Sequence, residues 1–278
     1  MRAGFGLLLG SVMMLGCRAQ SSTPTELPAN LIIPNPPPVE ALSGWRDAPG
    51  RSKITTQMGD VALRGFRYEG RDPKAPALLF FNGNGMTILR SDGLYRQLAA
   101  LGPTVVVYDY RGYGFSSGKP DMASFRDDAV KLYDALAAQH PVVVYGFSMG
   151  TAMASYVASV RSLPGLILAA PIASAAEEVP VYLKAGGAPA EYIATHKPAA
   201  DAVEMFGEAA MVAKSKAPLL VLHGNDDFLI PVQQSQEVLA ASSATSKRLV
   251  TIPDANHNAT AGDPDAMAAV KTFLSSLN

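Results

Sequence analysis

The chain has 278 residues and a nearly balanced charge, with 23 Lys and Arg against 24 Asp and Glu. This balance argues against nucleic acid as a partner, because phosphate binding needs an excess of basic residues. Hydrophobic residues make up 48% of the chain, which is enough to form the core of an ordinary globular domain.

Residues 1–16 have the pattern of an export signal. Arg2 precedes an apolar run at 5–15 that is too short to span a bilayer as a mature helix. The run ends in Leu-Gly-Cys, which resembles the cleavage box of bacterial lipoproteins, where the cysteine becomes lipidated. Cys17 is the only cysteine in the chain, so neither an intrachain disulfide nor a cysteine metal cluster can form. We therefore predict lipidation at Cys17; a plain secretory signal with an incidental cysteine is the alternative.

Residues 17–38 are rich in Ser, Thr, Asn and Pro and end in a proline-rich stretch at 34–38. This composition cannot bury a core and favours extended backbone, so it predicts a tether. With the predicted lipid at Cys17, the tether would be lipidated at its start. The expectation is an exported bacterial lipoprotein, anchored to a membrane through its lipid and facing the periplasm or the cell surface. The globular domain is predicted over 39–278.

From Thr56 onward, short β-branched or aromatic runs alternate with longer helical segments, which predicts a mostly parallel sheet covered by helices on both faces. The first two strands, at 55–57 and 62–68, are expected to form an antiparallel hairpin at the sheet edge. Buried strands are predicted at 77–81, 104–108, 142–145, 165–169, 219–222 and 248–252. Helices are predicted near 87–101, 122–139, 149–161, 232–243 and 263–277.

The interval 171–217 is too long for a simple crossover between two parallel strands. We predict two or three short helices that form a small lid or substrate wall. A purely structural excursion is the alternative.

The Gly-X-Ser-X-Gly motif at 146–150 follows a buried-type strand and precedes a helical run, which is typical of a nucleophile elbow. Side chains in place of its two glycines would collide with neighbouring backbone at such a sharp turn. Ser148 is therefore the predicted nucleophile. The pattern also occurs at 114–118, but no helix starts directly behind Ser116, which is interpreted as part of a surface turn.

A serine nucleophile needs a histidine base, and the chain has four histidines. His140 precedes the strand leading to the elbow and so lies at the opposite end of the sheet. His196 falls in the irregular interval, and His223 ends a strand, where a structural hydrogen bond is expected. The remaining one, His257, follows the last strand and is the predicted general base.

The acid that orients the histidine should come between serine and histidine in this chain order. The segment 219–231 offers two candidates, Asp226 and Asp227. The spacing after the His-Gly pair at 223–224 favours Asp227, and Asp226 is expected to cap or bind turn backbone.

Two backbone amides are predicted to form an oxyanion hole. One belongs to Met149, the residue after the nucleophile, and the other is assigned to Asn84, in a glycine-containing loop that follows a buried strand. A simple tight turn at 82–85 is the alternative reading of that loop.

With these positions assembled, the chain resembles the small, lid-poor α/β-hydrolases that include the depalmitoylase-like abhydrolase enzymes, over about residues 55–277. The resemblance rests on the elbow, the Asp-Tyr-Arg-Gly-Tyr-Gly-X-Ser loop at 109–116, the His-Gly-X-X-Asp segment at 223–227 and the Asn-Gly-Asn loop. It implies an α/β-hydrolase fold, with Asp109 and Arg111 in structural roles beside the active site. Relatives usually carry His where this chain has Asn82, which is expected to alter how the loop is braced.

The predicted function is a serine hydrolase that cleaves carboxylic ester or thioester bonds through an acyl-enzyme intermediate, with a small-molecule or lipid acyl ester as substrate. The pattern implies no metal and no organic cofactor. One alternative is an aminopeptidase or amidase with the same triad, in which Glu177, Glu178 or Glu191 would hold the substrate amine. The other is a non-catalytic lipoprotein that uses the fold as a binding module.

Overall fold

A computed structural model describes residues 25–32, 37 and 39–277 of the chain. The predicted signal segment and Cys17 lie outside these residues. Among the described residues, no helix combines the length and apolar character needed to cross a bilayer.

The described strands, in chain order, are β1 (Thr25–Leu27), β2 (Arg51–Met58), β3 (Val61–Tyr68), β4 (Ala77–Phe81), β5 (Val105–Tyr108), β6 (Val142–Phe147), β7 (Leu166–Ala169), β8 (His196–Pro198), β9 (Leu219–Gly224) and β10 (Lys247–Ile252). The described α-helices are α1 (Ala29–Ile32), α2 (Asp92–Ala100), α3 (Met122–Ala137), α4 (Met149–Val160), α5 (Ala175–Ala185), α6 (Ala190–Thr195), α7 (Ala200–Met205), α8 (Glu208–Val212), α9 (Val232–Ala241) and α10 (Pro264–Ser275).

Eight of these strands form one sheet in the order β10-β9-β7-β6-β4-β5-β3-β2. Strand β3 is antiparallel to both of its neighbours, β2 and β5, and the other pairs are parallel. The predicted edge hairpin and all six further strands are therefore confirmed, with shifts at their ends, but the last of them, β10, lies at the other edge of the sheet and is mostly exposed or half-buried rather than buried. Because the parallel strands share one direction, the loops after β4, β6, β9 and β10 meet at one edge of the sheet.

Alternate residues of each strand pack on opposite faces of the sheet. In β4, Leu78 and Phe80 belong to the core layer that includes buried residues of α2 and α10. Leu79 and Phe81 belong to the opposite layer, with residues of α3 and α4. Both faces of β4 are buried, which explains its uninterrupted apolar sequence.

Helix α2 begins at Asp92, later than the predicted start at 87. The preceding turn is held by other partners: Thr87 donates its hydroxyl to Glu40 Oε1 at 2.6 Å, and the Ile88 amide donates to Asp109 Oδ1 at 2.9 Å. These long-range bonds hold the segment in a non-helical turn, which local sequence pattern does not reveal.

The interval 171–217 contains four helices, α5 to α8, and the strand β8, so the prediction of two or three helices was too few. Strand β8 pairs in parallel with β1, which lies in the stretch predicted as a tether. The two form a separate small sheet.

Residues 25–32, assigned by composition to the extended tether, are instead a strand and a short helix packed on the domain. The Ala29 amide donates to Asp201 Oδ2 at 3.0 Å, and Ala29 is 3% exposed. Asn30 Oδ1 accepts from the amide of Met122 at 3.0 Å. Long-range pairing of this kind satisfies the backbone of a polar segment without an apolar signature in its own sequence.

Candidate active site

Ser148 lies at the turn between β6 and α4, at the edge of the sheet where the parallel strands end. Its φ of 51° is in the left-handed region that non-glycine residues rarely adopt. The turn is held by a hydrogen bond from its amide to Ala169 O at 2.9 Å. The strained conformation leaves Ser148 half-buried, with its hydroxyl within reach of a partner from another loop.

The two glycines of the motif are required by close backbone contacts. A β-carbon at Gly150 would lie 2.1 Å from Phe81 O, and one at Gly146 would lie 2.5 Å from Gly150 O. The predicted collision at both positions is therefore confirmed. The same contact brings the elbow against the end of β4, beside the loop predicted to supply an oxyanion donor.

Three side chains distant in sequence form a continuous hydrogen-bond chain at this edge. Ser148 Oγ lies 2.9 Å from His257 Nε2, and His257 Nδ1 lies 2.7 Å from Asp227 Oδ2. The ring of His257 also packs against Phe147, with 5.2 Å between ring centroids. The structure thus brings together the three residues predicted from the sequence in the geometry needed for proton transfer from the hydroxyl.

The carboxylate of Asp227 is buried, and both of its oxygens have hydrogen-bond partners. Its Oδ1 accepts hydrogen bonds from the amides of Leu229 and Ile230, both at 2.9 Å, while Oδ2 faces His257. Burial alone would raise the pKa of Asp227, but the hydrogen bonds from His223, His257 and the backbone outweigh it, so the pKa lies well below its ordinary value. Asp227 therefore stays ionised beside the imidazole.

The neighbouring candidates have other positions. Asp226 is exposed. Its side chain was expected to bind the turn, but the hydrogen bond observed comes from its backbone amide, which donates to Ala255 O at 3.0 Å. His223 is completely buried, with Nδ1 2.6 Å from Ser235 Oγ and Nε2 2.8 Å from Ile230 O. The structural hydrogen bonds expected for His223 are thus present.

The loop after β4 carries Asn84 to the site. Asn84 lines the same pocket as Ser148 and His257. Met149 is the first residue of α4. Within the described chain neither the Asn84 amide nor the Met149 amide donates a hydrogen bond, so both remain available to a ligand oxygen.

Tyrosine hydroxyls brace Asn82 in this loop. Asn82 is completely buried; its Oδ1 accepts from the Tyr95 hydroxyl at 2.6 Å, and its backbone oxygen accepts from the Tyr110 hydroxyl at 2.8 Å. The Tyr113 hydroxyl lies 3.3 Å from Asn84 Oδ1. Tyrosine hydroxyls therefore hold the loop from its buried side, a role that the sequence pattern did not assign to them.

Ser116, in the second match to the motif, is buried rather than part of a surface turn. It is 2% exposed, donates to Asp109 O at 2.7 Å and accepts from the Arg64 amide at 2.9 Å. The interpretation as a surface turn was wrong because Ser, Gly and Lys are typical of exposed turns, whereas these hydroxyl bonds join the loop to β3. No bond links Ser116 to a histidine in the described residues.

Asp109 and Arg111 have the structural positions that the resemblance implies. Asp109 accepts from the Phe115 amide at 2.9 Å as well as from Ile88, and burial raises its pKa to about 7. Arg111 forms a two-point ion pair with Asp128. These contacts fold the loop 109–118 against the domain and do not touch Ser148.

A pocket of about 370 Å³ opens beside the hydroxyl and the imidazole. Its lining residues come from the end of β6, the loops after β4, β6 and β10, and the start of α2: Gly83, Asn84, Met86, Arg90, Ser91, Gly93, Leu94, Phe147, Ser148, His257, Asn258, Ala261 and Gly262. The interval 171–217, predicted as a lid or substrate wall, contributes none of them. One residue of this interval, Glu178, interacts electrostatically with the triad: its pKa is raised to about 8, first by burial and then by the charge of Asp227.

The sheet order, the elbow and the three loops that meet beside it identify the fold. The chain has the α/β-hydrolase fold. Two solved structures share it: the Pyrococcus furiosus esterase Pf2001, with a TM-score of 0.63 and 19% identity over 88% of this chain and 98% of that chain, and the Paleococcus ferrophilus monoacylglycerol lipase, with a TM-score of 0.59 and 18% identity over 77% and 99%.

Sequence comparison also finds similar proteins and a matching family model. Residues 72–202 match the family model described as serine aminopeptidase, S33. An uncharacterized protein from Mycobacterium tuberculosis is 29% identical over 88% of this chain and 85% of its own length. The lysophosphatidylserine lipase ABHD12 from Danio rerio is 30% identical over 60% of this chain, and the match spans 48% of the lipase.

Sequence reasoning missed one buried carboxyl beside the elbow. Glu208, on α8, lies 2.8 Å from the hydroxyl of Thr151, and that hydroxyl also donates to the carbonyl of Ser148. Glu208 is 60 residues away from the nucleophile in the irregular interval, and nothing in its local pattern marks it.

Replacing Gly150 by Ala should disrupt the elbow, because the added methyl group overlaps Phe81 O. We expect a loss of about 1–3 kcal/mol in the free energy of unfolding together with loss of Ser148 reactivity, measured by urea denaturation and by active-site labelling. The matched control for stability is Gly93→Ala in α2, where no atom outside the chain neighbours and the local helix backbone lies within 4 Å of the added carbon. Unchanged stability and labelling in Gly150→Ala would contradict this account of the turn.

Proposed function

We propose that the protein is a serine hydrolase that cleaves carboxylic ester or thioester bonds by two-step acyl transfer. The observation that carries the proposal is the hydrogen-bond chain from Ser148 Oγ through His257 to Asp227. The unpaired amides of Asn84 and Met149 beside the serine support it, because acyl transfer also needs donors for the developing oxyanion.

In the proposed reaction, His257 Nε2 accepts the hydroxyl proton as Ser148 Oγ attacks the substrate carbonyl carbon. The amides of Asn84 and Met149 stabilise the negative charge on the carbonyl oxygen. The protonated imidazole donates its proton to the leaving group, and water then releases the acid from Ser148 by the reverse sequence of proton transfers. Asp227 remains a carboxylate throughout and stabilises the imidazolium, which agrees with its lowered pKa.

Acyl esters are the substrate class that we propose. The pocket presents the side chains of Met86, Leu94 and Phe147 beside the serine, which suits an apolar acyl chain. Relatives and structural neighbours named as a lysophosphatidylserine lipase, a monoacylglycerol lipase and an esterase favour the same class. A lipid or small-molecule acyl ester is accordingly the first substrate to test.

Ser148→Ala should abolish covalent labelling by a fluorophosphonate probe, because the hydroxyl is the atom that reacts. The same change, or His257→Ala, should lower kcat toward a p-nitrophenyl ester by about 10⁴- to 10⁶-fold. Asp227→Asn should cost about 10⁴-fold by leaving the imidazole without its carboxylate. Ser116→Ala is the matched control for the second motif, and labelling that persisted in Ser148→Ala but not in Ser116→Ala would reject the assignment.

An aminopeptidase or amidase with the same triad is the competing activity, and the matching family model carries that name. The acidic residues suggested to bind a substrate amine do not support it. Glu178 is 5% exposed, Glu177 accepts a hydrogen bond from Gln234 at 3.3 Å, and neither these two nor Glu191 lines the pocket beside Ser148. An amine would therefore find no carboxylate there among the described residues.

Purified protein should hydrolyse p-nitrophenyl acyl esters and leave aminoacyl p-nitroanilides essentially uncleaved, since the pocket offers apolar contacts but no acidic partner. The measurement is kcat/KM for both series, with acyl chains of increasing length. Faster cleavage of anilides would favour the aminopeptidase. Folded protein with neither activity nor fluorophosphonate labelling would favour the non-catalytic binding module.

We further propose that the protein is exported and lipidated at Cys17. The support is sequence alone: a short apolar run after Arg2 and a lone cysteine in a lipoprotein-type cleavage box. Several acyl chains at one cysteine would anchor the protein stably, because two chains already exceed the marginal binding of one.

Cys17→Ser should move the protein from the membrane fraction to the soluble fraction of expressing bacteria, because the acyl acceptor is lost. Metabolic labelling with a fatty-acid analogue should mark the wild type and not the variant. Equal labelling and equal partition of the two proteins would exclude lipidation at this residue.

A further inference from the structure

A carboxyl group beneath the nucleophile elbow has no function in the mechanism described so far. Glu208 is 0% exposed, with Oε1 2.8 Å from Thr151 Oγ1 and Oε2 3.4 Å from Ser155 Oγ. No cationic side chain of the described residues pairs with it. An unpaired buried carboxylate would be costly, so the group must be neutral or satisfied by donors.

The protonation of Glu208 is linked to the oxygen to which the Thr151 hydroxyl donates. The hydroxyl of Thr151 has one proton and two oxygen neighbours, the carbonyl of Ser148 and Glu208 Oε1. A carbonyl can only accept. If the Thr151 proton goes to the carbonyl, the bond to Glu208 requires a proton on the glutamate.

The carbonyl of Ser148 belongs to the same peptide unit as the amide of Met149, which the proposed mechanism uses as an oxyanion donor. Because a peptide unit is planar and trans, the direction of its C=O fixes the direction of its N–H. The carbonyl accepts from the Thr151 amide at 2.8 Å as well as from the Thr151 hydroxyl. Two donors on one carbonyl restrain a turn in which Ser148 has an unfavourable φ.

We propose that Glu208 in its protonated form is a positioning residue for the oxyanion hole: it donates to Thr151 Oγ1, which donates to the Ser148 carbonyl and so orients the Met149 amide toward the substrate oxygen. This rests on the proposed serine hydrolase function. Glu208 does not touch the reacting atoms. It acts through the hydroxyl of Thr151 and the peptide unit that follows the nucleophile.

The surroundings of Glu208 agree with a neutral carboxyl. Burial raises its pKa to about 8, against the smaller opposing effect of its hydrogen bonds. Helix α4, which packs against α8, has no charged residue, and the one charged residue of α9, Glu237, is exposed. The backbone of Ile172 contacts Glu208 from the loop after β7. No neighbouring charge of these elements therefore opposes protonation below about pH 8.

The test compares the pH dependence of kcat for ester hydrolysis in wild type and Glu208→Gln. As pH rises through about 8, wild-type Glu208 loses its proton, the Thr151 hydroxyl turns to the carboxylate, and kcat should fall. Glutamine keeps a donor at every pH, so Glu208→Gln should retain kcat near neutral pH and lack this alkaline decline. Ser155→Ala, which removes only the longer contact, is the matched control and should keep the wild-type profile.

Thr151 provides a second pair of variants. Thr151→Val keeps the side-chain shape but removes the hydroxyl, and should lower kcat by up to about 10²-fold with little change in KM, because only the orientation of the oxyanion donor is altered. Thr151→Ser keeps the hydroxyl and should restore most of kcat. Unchanged kcat in Thr151→Val overturns the proposal. This test remains valid even if Glu208→Gln does not fold.

Thermal unfolding supplies a readout that is independent of activity. The folded-state pKa of Glu208 lies above its unfolded value of about 4.5, so its contribution to stability falls as pH rises from about 4.5 to about 8. The Tm of wild type should therefore decline relative to Glu208→Gln across this range. Asp109 and Glu178, whose pKa values are also raised by burial, are present in both proteins and cancel in the difference.

Failure of this inference is distinguishable from failure of the proposed function. Without fluorophosphonate labelling of wild-type Ser148, the hydrolase function itself fails. With labelling present, an identical alkaline decline in wild type and Glu208→Gln overturns the role of Glu208. Asp109 and Glu178 also have raised pKa values, so the protonated state is tested by the infrared difference spectrum of wild type minus Glu208→Gln at pH 6. A carboxylic-acid band in this difference supports the protonated state, and a difference spectrum without such a band overturns it.

Discussion

The sharp turn from β6 into α4 is the constraint on which the rest of the site depends. It forces Ser148 into the left-handed region. Only glycine fits at position 150, which lies against the end of β4, and at position 146, which lies against the first turn of α4. Two backbone hydrogen bonds hold the strained turn: the Ser148 amide donates to Ala169 O in β7, and the Thr151 amide in the first turn of α4 donates to Ser148 O. The sheet therefore holds the half-buried hydroxyl of Ser148 in place.

Burial acts to raise the pKa of each carboxyl group in this part of the fold, and hydrogen-bond donors act to lower it. The balance of the two effects leaves one carboxyl ionised and others with a raised pKa. Asp227 accepts two backbone amides and faces two imidazoles, so it stays charged despite its burial. Glu208 and Asp109 have fewer or weaker donors, and burial raises the pKa of each. The number and kind of donors at each carboxyl thus separate an ionised acid, which can stabilise an imidazolium, from a neutral acid, which can donate a hydrogen bond.

Strand β1 and helix α1, at the start of the described chain, pack against the interval 171–217. Strand β1 pairs with β8, and Ala29 bonds to Asp201 in α7. The same interval carries Glu208 to the elbow. Its described helices contribute no residue to the pocket beside Ser148, and their observed contacts are with the domain and with the segment 25–32. The interval therefore supports the nucleophile from beneath while the substrate side stays open to other loops.

The sequence by itself determined the strands of the main sheet and the helices between them outside 171–217, the elbow glycines and the candidates Ser148, Asp227 and His257. Each of these depends on local pattern: buried strands, a turn without side chains, and loops that follow parallel strands. Tertiary structure alone decided the burial of Ser116, the docking of residues 25–32 and the position of Glu208. These depend on hydrogen bonds between segments far apart in the chain, which leave no periodicity in any one of them.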